Sequence, residues 1–138
     1  MIERVTHILV VEDDEVDVKN IQRAFDRGHL TNPLYFAHDG IAALEMLRSG
    51  AVPSSRRMVL LDINLPRMNG HEFLRELRAD PLLRRTPVVV LTTSNDDRDR
   101  VEAYGMGVAG YLLKPITFSG FVELMAAMNR YWTLVEMP

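Results

Sequence analysis

Residue types capable of phosphoryl chemistry stand directly behind four apolar runs. Glu12-Asp13-Asp14 follows ILVV, Asp62 follows VLL, Thr92-Thr93-Ser94 follows VVVL, and Lys114-Pro115 follows YLL. Acids, a hydroxyl and an amine would meet if these runs lay side by side. Carboxylates brought together repel one another and rise in pKa unless a cation neutralises them. Oxygen ligands without His or Cys suit a hard ion, and Mg²⁺ commonly takes a few carboxylates with water and phosphate. An aspartate carboxylate can attack phosphorus to give an aspartyl phosphate. Charge on the transferring group is then stabilised by a metal, an ammonium and a hydroxyl, for which Lys114 and Thr92 are suitable types.

Something must bring these residues together. Five short runs at 7–11, 34–37, 58–61, 87–91 and 109–113 are rich in Val, Ile and Leu and do not alternate strictly. They read as strands buried on both faces. Helical spacing links Val18, Ile21 and Phe25, then Ala43, Leu44 and Leu47, then Phe73, Leu74 and Leu77. A weaker pattern covers 97–104, and Phe118, Phe121, Val122, Met125 and Met128 mark a last helix beginning near Thr117. Turn signals fall between them, as at Asp39-Gly40 and Met68-Asn69-Gly70. The order predicts an α/β fold, a parallel sheet with helices on both faces. In such a sheet ligands bind at the carboxyl ends of the strands.

Composition narrows the function classes. The 138 residues fit one domain, and 47% hydrophobic with 25% charged is ordinary for a globular chain. A net charge of −3 makes no bulk electrostatic case for nucleic acid or an anionic membrane. There is no cysteine, hence no disulfide or thiolate metal site. No apolar run reaches the roughly 20 residues that span a bilayer, and the N-terminal stretch MIERVTHILVV carries acid too early for a secretory signal. The expectation is a soluble cytoplasmic domain.

The segments ILVVEDDE, LLDINLPRMNG, PVVVLTTS and GYLLKP, in this order, resemble the receiver domain of two-component response regulators, over residues 6–130. The resemblance implies a flavodoxin-like (βα)5 arrangement with strand order 2-1-3-4-5. It makes Asp62 the phosphoacceptor, with Mg²⁺ held by Glu12, Asp13, Asp62 and the main-chain carbonyl of Asn64. Thr92 becomes the switch hydroxyl, Lys114 the ion-pair partner, and Tyr111 the aromatic that moves with the switch. Asn64 and Ser94 would tune the rate of phosphoryl loss, and Lys114-Pro115 would be cis. The phosphodonor would be a sensor histidine kinase or a histidine phosphotransfer protein. LTTSND together with the YW…VEMP ending also resembles the single-domain regulators of bacterial phytochrome kinases.

Each residue has a plainer reading when taken alone. Glu12-Asp13-Asp14 could cap a helix, with Asp14 or Glu15 serving its start. Asp62 could be a turn acid beside Asn64-Leu65-Pro66, and a Lys before Pro is commonly on the surface. His7, His29, His38 and His71 are scattered without ligand spacing and read as surface or loop residues. Arg56-Arg57, Arg84-Arg85 and Arg98 with Arg100 read as solvated charge, Arg84-Arg85 being also a candidate docking contact. A phosphatase of the haloacid dehalogenase kind is the rival from another class. It would want DxD after the first strand, whereas Asn64 stands two residues after Asp62 and cannot act as a general acid. A receiver-shaped interaction module that takes no phosphoryl group is the third reading. Finally, Leu124, Met128 and Trp132 form a second apolar stripe leading into a tail at 131–138. Either this tail folds back on its own domain or, with Tyr131, Leu134 and Val135, it joins the last helix in a partner surface; the expectation is the latter, as a homodimer.

Overall fold

The computed structural model describes residues 5–138; residues 1–4, part of the stretch read above as no secretory signal, lie outside the described residues. Its elements run β1 (His7–Val11), α1 (Glu15–Arg27), β2 (Leu34–Ala37), α2 (Gly40–Ser49), β3 (Arg57–Leu61), α3 (Gly70–Ala79), β4 (Val88–Thr92), α4 (Asp97–Gly105), β5 (Gly110–Leu113) and α5 (Phe118–Leu134). All strand pairs are parallel, in the order β2-β1-β3-β4-β5. The (βα)5 flavodoxin-like arrangement is therefore observed. No helix among the described residues is long and apolar enough to cross a membrane.

The absence of alternation in the strands has a simple cause. Side chains of a strand point to opposite faces in turn, and here both faces are covered. Leu9, Val11, Val59, Leu61 and Val90 pack with Leu44, Leu47, Phe73, Leu77 and Ala103 on the side of α2, α3 and α4. Ile8, Val10, Met58, Leu60 and Leu91 pack with Ile21, Phe25, Phe121 and Met125 on the side of α1 and α5. The edge strands β2 and β5 are less buried than the three between them.

Helix starts follow the local chemistry. Asp14 caps α1, accepting from Val16 N at 2.9 Å and Asp17 N at 3.3 Å. Asn69 and Glu72 form a reciprocal capping box on α3, and Thr117 caps α5. Gly70 has a stricter reason: a Cβ there would lie 2.7 Å from the carbonyl oxygen of Asp62. Only glycine lets α3 start against the end of β3.

Four expectations need correction. Helix α5 continues to Leu134, so residues 131–134 are helix and not tail. Met128 and Trp132 face the protein's own core; Trp132 is 1% exposed and stacks on Phe25 with ring centroids 5.9 Å apart. A wide apolar stripe looks the same in sequence whether it meets its own domain or a partner, and here α1 takes it. Arg56 is not solvated: it is 9% exposed, donates to Thr6 Oγ1 at 2.9 Å and Val135 O at 3.2 Å, and also to the carbonyl of Trp132. Those carbonyls at the end of α5 lack helical partners, so a buried guanidinium satisfies both sides. Lastly, no described peptide bond is cis. Lys114-Pro115 is thus trans, the form that X–Pro bonds favour by about 0.5–1 kcal/mol.

The placement of α5 can be checked by denaturation. Trp132→Ala should cost about 3–5 kcal/mol of stability in urea, as for other large core aromatics. Leu134→Ala, at a side chain 78% exposed, should stay within about 0.5 kcal/mol of wild type.

Candidate functional site

Sheet register sets the site. Val11 pairs with Leu61, and Thr92 pairs with Leu113. Glu12, Asp62 and Lys114 each stand one residue beyond a strand, and the hydrogen-bond ladder continues through them. Glu12 N donates to Ala37 O at 2.9 Å, Asp62 N to Val11 O at 3.1 Å, and Lys114 N to Thr92 O at 2.9 Å. Backbones this constrained deliver their side chains to one place.

At its centre is the Lys114 ammonium. Nζ lies 2.8 Å from Glu12 Oε2, 2.7 Å from Asp17 Oδ2 and 2.8 Å from Asp62 Oδ2, and the Lys114, Glu12 and Asp62 side chains are all buried. The second oxygen of Asp62 accepts the Thr92 hydroxyl at 2.6 Å and the Asn64 N–H at 3.1 Å. Burial would raise the Asp62 pKa, but donation from Lys114 and Thr92 outweighs it and holds the carboxyl below its usual range. Glu12 goes the other way: burial first, then the neighbouring Asp62 charge, push it to about 8 against the pull of Lys114. Burial disfavours the charged form of Lys114, yet its three acid partners more than compensate and raise its pKa. The pocket therefore has a surplus of acid over base.

The expected residues are not all together. Glu12, Asp62, Thr92 and Lys114 meet, and Asn64 N–H and Ser94 N–H join them, the latter donating to Thr92 Oγ1 at 3.3 Å. Asp13 is exposed on the rim. No three acidic or imidazole side chains among the described residues already surround a common metal position; the ammonium lies between Glu12 and Asp62 instead. The donor chemistry nonetheless fits a hard cation, since the ligands are oxygens and Glu12 is a buried acid short of positive charge. Tyr111 donates its hydroxyl to Ser94 O at 2.9 Å, and burial raises its pKa.

Asp17 was not anticipated. Its signal was present, because with Asp14 as N-cap it falls on the first turn of α1, three residues on. His71 also departs from expectation: it is 8% exposed and points Nε2 at Asp99 Oδ1, 3.0 Å away.

The strand order and the segments behind the strands agree with what comparison with known proteins finds. Residues 8–126 match the response regulator receiver domain. The chain belongs to the response regulator receiver family. It is 42% identical to a probable methanogenesis regulatory protein, FilR2, of Methanothrix harundinacea, over 91% of this chain and 82% of that protein. Among solved structures, the phosphorylated cyanobacterial phytochrome response regulator RcpA is 32% identical. It has a TM-score of 0.87, with 98% of this chain and 99% of that one covered. The Mn²⁺-bound form of response regulator Rcp1, a Synechocystis protein, is 33% identical with a TM-score of 0.82, covering 98% and 99%. As a receiver, the chain is a signalling regulator by family.

The loop behind Asp62 has its own latch. Arg67 sits at φ 59, a left-handed conformation unusual for a non-glycine residue, and its Nε and second guanidinium nitrogen reach Asp39 Oδ2 at 2.7 and 2.6 Å. The other Asp39 oxygen caps α2 at Ala42 N, 2.8 Å away. Burial works against the Asp39 charge, but these donors hold its carboxyl below the usual value. Its stabilisation is complete above about pH 3.9, the ordinary Asp value, and is lost as pH falls through the lower folded value. Asp39→Asn keeps the cap, so it should cost about 1 kcal/mol at neutral pH. In acid titrations followed by circular dichroism, its deficit against wild type should shrink below about pH 3.9.

Proposed function

We propose that residues 1–138 act as a single-domain response regulator that accepts a phosphoryl group on Asp62. The observation that carries this reading is the ionised Asp62 carboxylate held between the Lys114 ammonium and the Thr92 hydroxyl. The donor is a phosphohistidine on a sensor kinase or transfer protein. A carboxylate oxygen of Asp62 forms a bond to phosphorus as the P–N bond breaks, and the electron pair leaves with the imidazole. Lys114 supplies positive charge to the new phosphoryl oxygens, and Thr92 turns its single proton toward them. Tyr111, tied to the Ser94 carbonyl, follows that movement, so a local charge event biases the surface around α4 and β5.

Glu12, Asp13, Asp62 and the Asn64 carbonyl would hold Mg²⁺. When bound, it neutralises the carboxylates and the transferring phosphoryl group. The likeness to a Mn²⁺-bound Rcp1 supports this reading. The likeness to RcpA, a cyanobacterial phytochrome response regulator, supports a bacterial phytochrome kinase as the partner; a cytoplasmic location belongs to the same reading. A homodimer through the exposed Tyr131 and Leu134 belongs to the same reading. The protein would catalyse only its own phosphorylation and the hydrolysis that ends it, and it would not bind nucleic acid directly.

Incubation with acetyl phosphate, read by intact mass and size-exclusion elution, tests this. Wild type should gain a labile phosphoryl adduct only with Mg²⁺, and Asp62→Asn should gain none. An adduct that survives Asp62→Asn, or that forms equally in EDTA, would sink the assignment. Unchanged elution on phosphorylation would remove self-association as the output.

A further inference from the structure

One hydrogen-bonded chain leads away from the site to a side chain that the phosphoryl chemistry leaves unused. Ser94 Oγ donates to Asp99 Oδ2 at 2.5 Å, and the other Asp99 oxygen lies 3.0 Å from His71 Nε2. Asp99 belongs to α4 and His71 to the first turn of α3, so the chain ties two helices to the β4–α4 loop. Glu102 Oε2 also faces His71 Nε2 at 3.8 Å, while its other oxygen is paired with Arg75. Among the described residues, His71 Nδ1 is the one buried side-chain polar atom without a hydrogen-bond partner. A buried N–H left unpaired costs about 1–3 kcal/mol. The ring proton therefore belongs on Nε2, directed at Asp99, with a bare lone pair on Nδ1.

The consequence falls on Ser94, whose hydroxyl has a single proton. With that proton held by Asp99, Oγ can only accept; the Asp96 N–H lies 3.4 Å away and takes one lone pair, and the charged partner makes the other a better acceptor. The hydroxyl cannot donate to phosphoryl oxygens on Asp62, but it can accept from a water approaching them. Ser94 stands two residues after Thr92, whose hydroxyl binds Asp62 in the unphosphorylated protein, so the chain itself keeps it beside the site.

We propose that His71 is a positioning residue that orients Asp99, fixes the Ser94 hydroxyl as an acceptor, and so shortens the life of the phosphoryl group. This rests on the reading of Asp62 as phosphoacceptor. In the step concerned, water forms the new P–O bond and the Asp62–phosphorus bond breaks. The electron pair returns to the carboxylate, and the water's protons go to phosphate and solvent.

The half-life of the adduct made with acetyl phosphate is the measurement. His71→Leu should lengthen it about threefold or more, whereas His71→Gln, whose amide can still donate to Asp99, should stay near wild type. Asp99→Ala should match His71→Leu and serves if that variant is unstable. In a Ser94→Ala background, His71→Leu should have no further effect. The same lengthening without Ser94 would show that His71 acts through the fold, and an unchanged or shorter half-life would equally overturn the proposal. Nitrogen NMR of the imidazole in unphosphorylated protein gives a separate test. A proton on Nδ1 would refute the clamp whether or not the protein labels. A normal Nε2–H signal in a protein that takes no phosphoryl group would instead refute the Asp62 reading, and the lifetime role with it.

Discussion

The constraint on which the site depends is one ammonium shared by three carboxylates. Two unit charges about 4 Å apart are worth about 4 kcal/mol at an effective dielectric of 20, and Lys114 makes three such contacts closer than that. It cannot neutralise all of them. The imbalance is divided unequally: Asp62 keeps its charge because it also has Thr92 and Asn64 as donors. Glu12 is pushed toward its protonated form by burial first and then by the Asp62 charge, against the pull of Lys114, and has one backbone donor from Asp14. An ionised carboxylate and a buried acid that shares its counter-charge thus arise from one arrangement.

Such an arrangement needs a backbone that cannot relax away from it. Removing one member of a buried ion pair typically costs about 3–5 kcal/mol, so the sheet has to hold all of them. It does so by extending the strand ladder through Glu12, Asp62 and Lys114. Gly70 brings α3 against Asp62, and the Asp39–Arg67 pair ties the intervening loop to the start of α2. The two-sided core of the sheet packs the strands that carry that end of the molecule.

How much of this could be read from sequence depended on distance along the chain. Strands and caps were legible because their causes are local, such as an apolar run ending in Asp or a Thr before a helix. Asp62, Thr92 and Lys114 were legible because parallel strands bring their ends together wherever they lie in sequence. The contacts that were missed join elements without that rule. Lys114 and Asp17 are 97 residues apart, and Arg56 reaches a carbonyl 76 residues away. His71 looked like a loop histidine because nothing around it announces that α4 will bring Asp99 to its ring. Trp132 looked like a partner anchor because its stripe carries no mark of what covers it.

The hydroxyl groups explain how a small charge event could travel. Thr92 and Ser94 each have one proton, and both protons are committed, to Asp62 and to Asp99. Tyr111 commits its own to the Ser94 carbonyl. Each donor can serve one acceptor at a time, so no member can turn toward a new anion without giving up its present bond. On the proposed reading, a phosphoryl group on Asp62 competes first for Thr92. Moving Thr92 removes the acceptor of the Ser94 N–H, and the Ser94 backbone carries the carbonyl that Tyr111 holds. On that reading the coupling would lie in this scarcity of protons, since each donor has to exchange one partner for another.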